Sequence, residues 1–472
     1  MSTQLRESAD APSPPHPAEP LPSRARLWVL FTIGIGTFMS ALDGSVVNTL
    51  LPVLARELHT SVAGIEWVTT IYLLVISGLL LSVGRAGDLF GHKRLYLAGF
   101  ALFVIGSALC GLAGSARTLV GLRVIQALGA AMLMATAPAI LTRSFPPSQR
   151  GRALGAQGTF TYLGLTAGPS LGGWLAGACG WRSVFYINVP VGLVAIALAL
   201  RSIADDRVRQ RNERFDFLGA ATFTAGLVTL MVALNQGHDW GWGSARTVVL
   251  LVVAALLLAL FVRVERRRAS PMLDLSLFGS RVFSASTVSA LLNYACVYAV
   301  LFVLPFLLIG GRGLGVQQAG LVLTAQPIVM AVVAPLSGTF SDRIGSRGLA
   351  TAGMAILAAG LVALGLLVSH GSLGAIAGAL AVVGLGVGLF VSPNNSALMG
   401  AAPPNRQGIA SGVLATARNV GMVLGVGFAG AVLTTVVAHA AVPAEGLAAG
   451  VRASLLGAAG LAALGAVTSA TR

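Results

Sequence analysis

Charge is scarce in this chain, and lysine is almost missing from it. Only 10% of the 472 residues are Asp, Glu, Lys or Arg, and Lys93 is the single lysine among 31 basic residues. A soluble globular protein carries about 25% charge, so an ordinary water-soluble fold is excluded. The three cysteines, Cys110, Cys179 and Cys296, are far apart and each lies inside an apolar run. An odd, scattered set builds no disulfide framework and no C-x-x-C metal or redox site, so all three are expected to be buried small hydrophobes. His59, His238, His370 and His439 lack metal-ligand spacing. No G-x-x-x-x-G-K-[ST] run is present to cradle ATP, and no Ser/His/Asp set or clustered metal ligands suggest an enzyme. Neither a cofactor nor a metal is expected.

Apolar residues and glycine are abundant instead. Hydrophobic residues make up 56% of the chain, glycines number 59, and the mean hydropathy is +0.83. That composition predicts an all-α polytopic membrane protein with closely packed helices. Apolar stretches long enough to cross a bilayer begin at Trp28, Val62, Leu95, Leu119, Ala153 and Ser183, then at Phe217 and Thr247. Six more begin at Val282, Gln317, Leu349, Leu373, Gly408 and Gly446, for about fourteen helices. Residues 1–26, rich in Pro, Ser and Ala, are expected to be a disordered cytoplasmic tail. The remaining units are expected at 27–200 (a six-helix bundle), 201–281 (linkers and two extra helices) and 282–472 (a second six-helix bundle).

The net charge of +15 raises nucleic acid as a partner, but its distribution points elsewhere. With a cytoplasmic N-terminus, most basic residues fall in inner loops, densest at Lys93 and Arg94, in "RSIADDRVRQRNER" and at Arg263 to Arg268. Such asymmetry orients membrane helices, and it places both termini inside. An internal repeat supports the two-bundle plan: "GRAGDLFGHKRLYLAG" at Gly84 aligns without gaps to "GTFSDRIGSRGLATAG" at Gly338. Parallel repeats of six helices are a known transporter arrangement.

Polar residues inside the apolar runs mark candidate sites, because an acid in mid-membrane costs roughly 2.5 to 3.5 kcal/mol. Gly36, Ser40, Asp43 and Val47 share one face of the first helix. Depth at 1.5 Å per residue sets Asp43 roughly 12 Å, and Glu66 and Arg123 roughly 6 Å, below the outer ends of their helices. An acid near an arginine can switch between neutral and ionised forms, as proton coupling requires, or can simply lock two helices. On the fourth helix Arg123 and Gln126 share a face. On the fifth, Gly164, Gly168 and Gly172 form a small-residue stripe, Gly173 follows, and Pro169 removes a helical hydrogen bond. In the second half Asn293, Gln326 and Arg418 are cavity candidates, with interhelical hydrogen bonding as the plainer role.

These segments, in this order, resemble the fourteen-helix drug:proton antiporters of the major facilitator superfamily. "LDGSVVNTLLP" is similar to that branch's first-helix signature, "GRAGDLFGHKR" to the superfamily loop motif, "LRVIQALGAA" to the fourth-helix motif and "GLTAGPSLGGW" to the antiporter motif. "WRSVFYINVPVG" and "PMLDLSLF" also look like family segments. The resemblance implies a major facilitator fold of two six-helix bundles plus two inserted helices. It implies a monomeric, proton-coupled exporter of amphipathic drugs or antibiotics in the bacterial cell membrane, working by alternating access. Its partners would be a small substrate, protons and the bilayer, without ATP or nucleic acid. Asp43 would be the acid of proton coupling or cation recognition, assisted by Arg123, with Glu66, Gln126 and Ser40 nearby. Gly84, Asp88, Gly91, Lys93 and Arg94, with Asp342 and Arg343 in the second copy, would form the conformational switch. Gly164, Gly168, Pro169, Gly172 and Gly173 would shape the antiporter helix. Leu89, His92 and Glu66 depart from the family pattern, Glu66 standing where glutamine is usual. The alternative is a proton-coupled metabolite transporter of the same fold.

Overall fold

A computed structural model describes residues 22–146, 149–205, 217–241, 243–266, 275–403, 406–440 and 443–472. Most of the expected tail and the linker from 206 to 216 lie outside these residues. Lipid cannot satisfy backbone polar groups, so a spanning chain closes its hydrogen bonds within helices; the described residues are about 90% helical and contain no strand.

The first half comprises α1 (Ser23–Glu57), α2 (Val62–Phe90), α3 (His92–Gly111), α4 (Ala116–Ser144), α5 (Arg150–Cys179), α6 (Ser183–Tyr186) and α7 (Asn188–Ser202). A hairpin of α8 (Phe217–Trp240) and α9 (Ala245–Glu265) follows. The second half contains α10 (Arg281–Pro305), extended by a π turn at Phe306–Gly311, then α11 (Val316–Leu323), α12 (Ala325–Ile344), α13 (Ser346–Leu367), α14 (Leu373–Gly400), α15 (Gln407–Ala438) and α16 (Pro443–Ala470). Counting α6–α7 and α11–α12 as one broken rod each gives fourteen. Twelve candidate spans among the described residues are long and apolar enough to cross a membrane; α5 and α8, of 30 and 24 residues, complete the set.

Several boundaries shift. The helix α1 starts at Ser23, inside the segment read as tail, and runs to Glu57. Asp43 is therefore roughly 21 Å from its C-terminal end, not 12 Å. Serines 61, 115, 244, 280 and 372 each accept a bond from the backbone N–H three residues on, fixing the starts of α2, α4, α9, α10 and α14. Cys110 and Cys296 are buried as expected, but Cys179, the last residue of α5, is exposed.

The repeat is visible in the backbone. Gly91 and Gly345 occupy φ 98° and 87°, and each joins two helices without an intervening residue. Only glycine adopts that conformation at little cost. These two turns define the turn face of the molecule; the opposite side is the far face. Within each half the same close crossing recurs: a methyl on Gly99 would meet the Gly129 carbonyl at 3.0 Å, and one on Gly353 the Gly386 carbonyl at 2.7 Å.

Helices α1–α7 pack into one bundle and α10–α16 into another. They meet where α1 touches α10 and α11, α2 touches α15, and α5 touches α11 and α12. The closest approaches lie towards the far face, where a methyl on Gly320 would collide with the Pro169 carbonyl and one on Gly173 would stand 2.7 Å from the Val316 carbonyl. Nearer the turn face, Gly84, Gly155 and Gly158 have no neighbour within 4 Å of an added methyl. The tightest contacts between the bundles are thus near the far face. Helix α8 lies along the α2–α15 seam, anchored by Thr224 Oγ1 donating to the Gly78 carbonyl at 2.7 Å.

Candidate functional site

Asp43 lies at the centre of a buried polar cluster inside the first bundle. Its Oδ2 accepts from Arg123 Nη1 at 2.5 Å, and its Oδ1 accepts from Gln126 Nε2 at 2.8 Å and Asn188 Nδ2 at 3.2 Å. Four helices contribute: α1 carries Asp43, α4 carries Arg123 and Gln126, α7 starts at Asn188, and α3 supplies Ser107. The Ser107 hydroxyl accepts from Gln126 and Asn188 at 3.1 and 3.0 Å and donates to the Phe185 carbonyl at 2.9 Å. Arg123 also donates from Nε to the Val68 carbonyl and from Nη1 to Gln126 Oε1, and its guanidinium carbon stands 4.1 Å from the centre of the Tyr72 ring. Its Nη2 has no hydrogen-bond partner among the described residues.

A guanidinium stays protonated, so a buried one demands a negative or strongly accepting neighbour. Asp43 is 3% exposed and Arg123 is fully buried, which makes the two a neutral pair shielded from water. Both carboxylate oxygens of Asp43 are engaged. All three partners are donors, so the cluster holds Asp43 as a carboxylate and leaves neither oxygen free for a further ligand.

The structure joins Asp43, Arg123 and Gln126, as the sequence suggests, but separates the rest of the group. Ser40 returns its hydroxyl to the Gly36 carbonyl of its own helix at 3.0 Å. Glu66 is buried on α2 with its carboxylate against Gly430 of α15, where any added methyl would collide with it. It therefore lies on the seam between the bundles. Asn48 links α1 to α2 by accepting from Thr69 at 3.1 Å.

The glycine stripe of α5 serves two partners. Gly164, Gly168 and Gly172 receive α1, where added methyls would press on the Phe38 carbonyl, Ser45 and Val46. Gly173, Gly177 and the Pro169 carbonyl receive α11 of the other bundle. Near the turn face, Lys93 pairs with Asp205 at 2.9 Å and reaches the Leu200 carbonyl, tying α3 to the end of α7. The hydrogen bond and charge of Lys93 hold the Asp205 carboxyl below its ordinary range. Arg94 and Arg343 are exposed. The side chains of Asp88 and Asp342 lie outside the described residues.

The three candidates of the second half do not converge. Asn293 is buried against α13, donating to Met354 Sδ at 3.4 Å, with its own Oδ1 unpartnered. Gln326 is buried in the first turn of α12. Arg418 is half-buried on α15, 6.0 Å from the Tyr294 ring.

Sequence reasoning overlooked Asn188, Ser107 and Tyr72. Asn188 was within reach, since "WRSVFYINVPVG" holds the one strongly polar side chain at the start of an apolar helix. The break at Ile187 that turns it inward has no comparable signature.

Comparison with known proteins bears on the family and the fold. The family model described as Major Facilitator Superfamily matches residues 33–426 and, again, 286–470. The riboflavin transporter RibZ of Clostridioides difficile (strain 630) is 35% identical over 400 residues, covering 85% of this chain and 86% of that protein. The tetracenomycin C resistance and export protein of Streptomyces glaucescens is 33% identical over 413 residues, covering 87% and 77%. Among solved structures, a bacterial homolog of the human lysosomal transporter Spinster, in an inward-facing and unoccupied conformation, superposes with a TM-score of 0.70 over 96% of this chain and 98% of that one. At 16% identity that likeness concerns the fold alone.

Proposed function

The chain belongs to the major facilitator superfamily of membrane transporters, and on that premise we propose that it is a proton-coupled exporter of amphipathic, drug-like compounds. The observation that carries this reading is the buried Asp43–Arg123 pair, closed by Gln126 and Asn188. With Asp43 ionised, the pair clamps α1 to α4. A proton on Asp43 removes the charge that holds Arg123, and α1 is then free to settle differently. That helix packs on α10 and α11 as well as on α5, so its shift reaches the seam where the bundles meet. Alternating access follows if the two settings of α1 favour opposite openings.

The remaining groups fit around this event. Glu66 lies on the α2–α15 seam, and the two-faced glycine helix α5 lets α1 and α11 slide at close range. The turns at Gly91 and Gly345, with Asp88, Lys93, Arg94, Asp342 and Arg343, form the switch at the turn face. The turn face is cytoplasmic, both termini lie on the cytoplasmic side of the bacterial plasma membrane, and the monomer is the working unit. A proton entering down about 100 mV contributes roughly 2.3 kcal/mol.

Relatives support export without excluding the other direction: one is named for resistance and export, another as a riboflavin transporter. Proton-coupled movement of a metabolite is therefore the second reading. Inside-out vesicles loaded acidic separate the two. An exporter accumulates amphipathic fluorescent compounds inside them and loses the accumulation when a protonophore is added. An importer moves its substrate out of such vesicles, and indifference to the pH gradient would dismiss proton coupling.

A further inference from the structure

The charges set inside the membrane are unequally compensated. Asp43 and Arg123 neutralise each other within the first bundle. Arg418 has no such partner: among the described residues it makes no hydrogen bond and no ion pair, and its Nε is shut away from solvent without an acceptor. A guanidinium does not discharge by losing its proton. An arginine kept there has to face water or an anion.

Its place in the fold indicates which. Arg418 lies twelve residues before Gly430, roughly 18 Å from it along α15 towards the turn face, away from the tightest contacts between the bundles. Tyr294 presents its ring 6.0 Å from the guanidinium carbon, at the edge of the cation–π range. One turn further along α10, Tyr298 crosses the seam, and its hydroxyl stands 4.0 Å from an added methyl on Gly44, the neighbour of Asp43. Tyr72 faces the same region from the first bundle, carrying Arg123 on its ring. The middle of the seam thus sets Arg418, without a hydrogen bond or ion pair among the described residues, beside the half-buried Tyr294 ring, with the buried Tyr298 and Tyr72 behind it.

The repeat sharpens the contrast. The Gly99–Gly129 and Gly353–Gly386 crossings bring α3/α4 and α13/α14 into register. At the depth where α4 carries Arg123 and Gln126, α14 carries Leu380 and Val383, both buried. The second half has no counterpart of that guanidinium at this level; its Arg418 is on α15, with no acid paired to it among the described residues.

We propose that the seam holds a binding site for planar aromatic compounds bearing an anionic group, with Arg418 receiving the anion and Tyr294 flanking the ring system. This rests on the reading that substrate passes between the bundles, and it reverses the expectation of a cation-binding site. A carboxylate, sulfonate or phenolate supplies the acceptor that Arg418 lacks. A cationic compound meets the charge of Arg418, while Asp43 is paired with Arg123 and Glu66 lies further along the seam, against Gly430.

Two dyes with one ring skeleton and opposite charge test this: fluorescein, anionic at pH 7.5, and rhodamine 6G, cationic. Equilibrium binding to the full chain in nanodiscs is read by fluorescence anisotropy, with no proton gradient, so failure of the export reading leaves the assay intact. Fluorescein is expected to bind more tightly than rhodamine 6G, to weaken about tenfold or more in Arg418→Gln, and to stay within a few-fold in Arg418→Lys. Rhodamine 6G binding is expected to be unchanged or improved in Arg418→Gln. If that variant does not fold, salt decides: fluorescein binding to the wild type should fall as NaCl rises from 20 to 500 mM. Tighter rhodamine binding, fluorescein binding indifferent to both Arg418→Gln and salt, or no fluorescein binding at all would each overturn the proposal.

Discussion

Arg123 Nη1 stands 2.5 Å from Asp43 Oδ2, with the two side chains 0% and 1% exposed. The contact joins α4 to α1, the helix that also reaches the second bundle. The pair thereby links the interior of the first bundle to a helix that packs against the second.

Stability should report the pair directly. Removing one partner of a buried ion pair typically costs 3–5 kcal/mol, because the other charge is stranded. Asp43→Asn and Arg123→Gln should each lower the melting temperature of the detergent-solubilised protein. The double variant should lose less than the sum of the two, by about 1–3 kcal/mol.

Asn188 should matter although it carries no charge. Asn188→Ala removes the donors to Asp43 and Ser107 at 3.2 and 3.0 Å. The expected loss is about 1–3 kcal/mol of stability together with slower transport, measured on the same vesicles. Asn188→Asp, which brings a second acid to Asp43, should be worse than alanine.

The α5–α11 contact leaves no room for a side chain at Gly320. Gly320→Leu should hold the far face apart and reduce transport about tenfold or more, since overpacking is relieved only by moving a helix. Spin labels on the exposed native Cys179 and on a cysteine replacing Gln317 read the separation. Gly320→Leu should lengthen that distance, whereas Gly348→Leu, at a glycine with open space around it, should not.

The Lys93–Asp205 pair gives a pH window. Lys93 holds the folded-state pKa of Asp205 below 3.8. Its contribution is therefore fully present above about pH 5 and disappears as pH falls through that lowered value. Melting curves of wild type and Lys93→Gln should run parallel from pH 5 to 8 and draw together as pH falls through the lowered carboxyl range of Asp205, keeping only the share of the Lys93 bond to the Leu200 carbonyl. Asp205 is 93% exposed, so the offset should be small.

Much of this was legible in the chain. The helices, the repeat and the Asp43–Arg123–Gln126 triad follow from apolar length, from gapless alignment and from the expense of placing charge in lipid. Glu66 was misgrouped because the first helix is longer than its apolar run and because depth says nothing about direction: Asp43 lies roughly 21 Å and Glu66 roughly 6 Å from the far ends of their helices, and Glu66 faces α15. Arg418 was visible as a charge but not as an unpaired one, since compensation depends on which helices happen to face it. The two-partner role of α5 escaped for a similar reason. A glycine stripe announces close packing without saying which helix arrives.

The central claim is that the proton driving transport resides on Asp43, and exchange set against accumulation in Asp43→Asn vesicles tests it most directly. Exchange of labelled for unlabelled substrate needs no net proton movement, whereas uphill accumulation driven by an acidic lumen does. The account expects Asp43→Asn to retain exchange and to lose accumulation. Accumulation persisting in Asp43→Asn at the wild-type rate would contradict it.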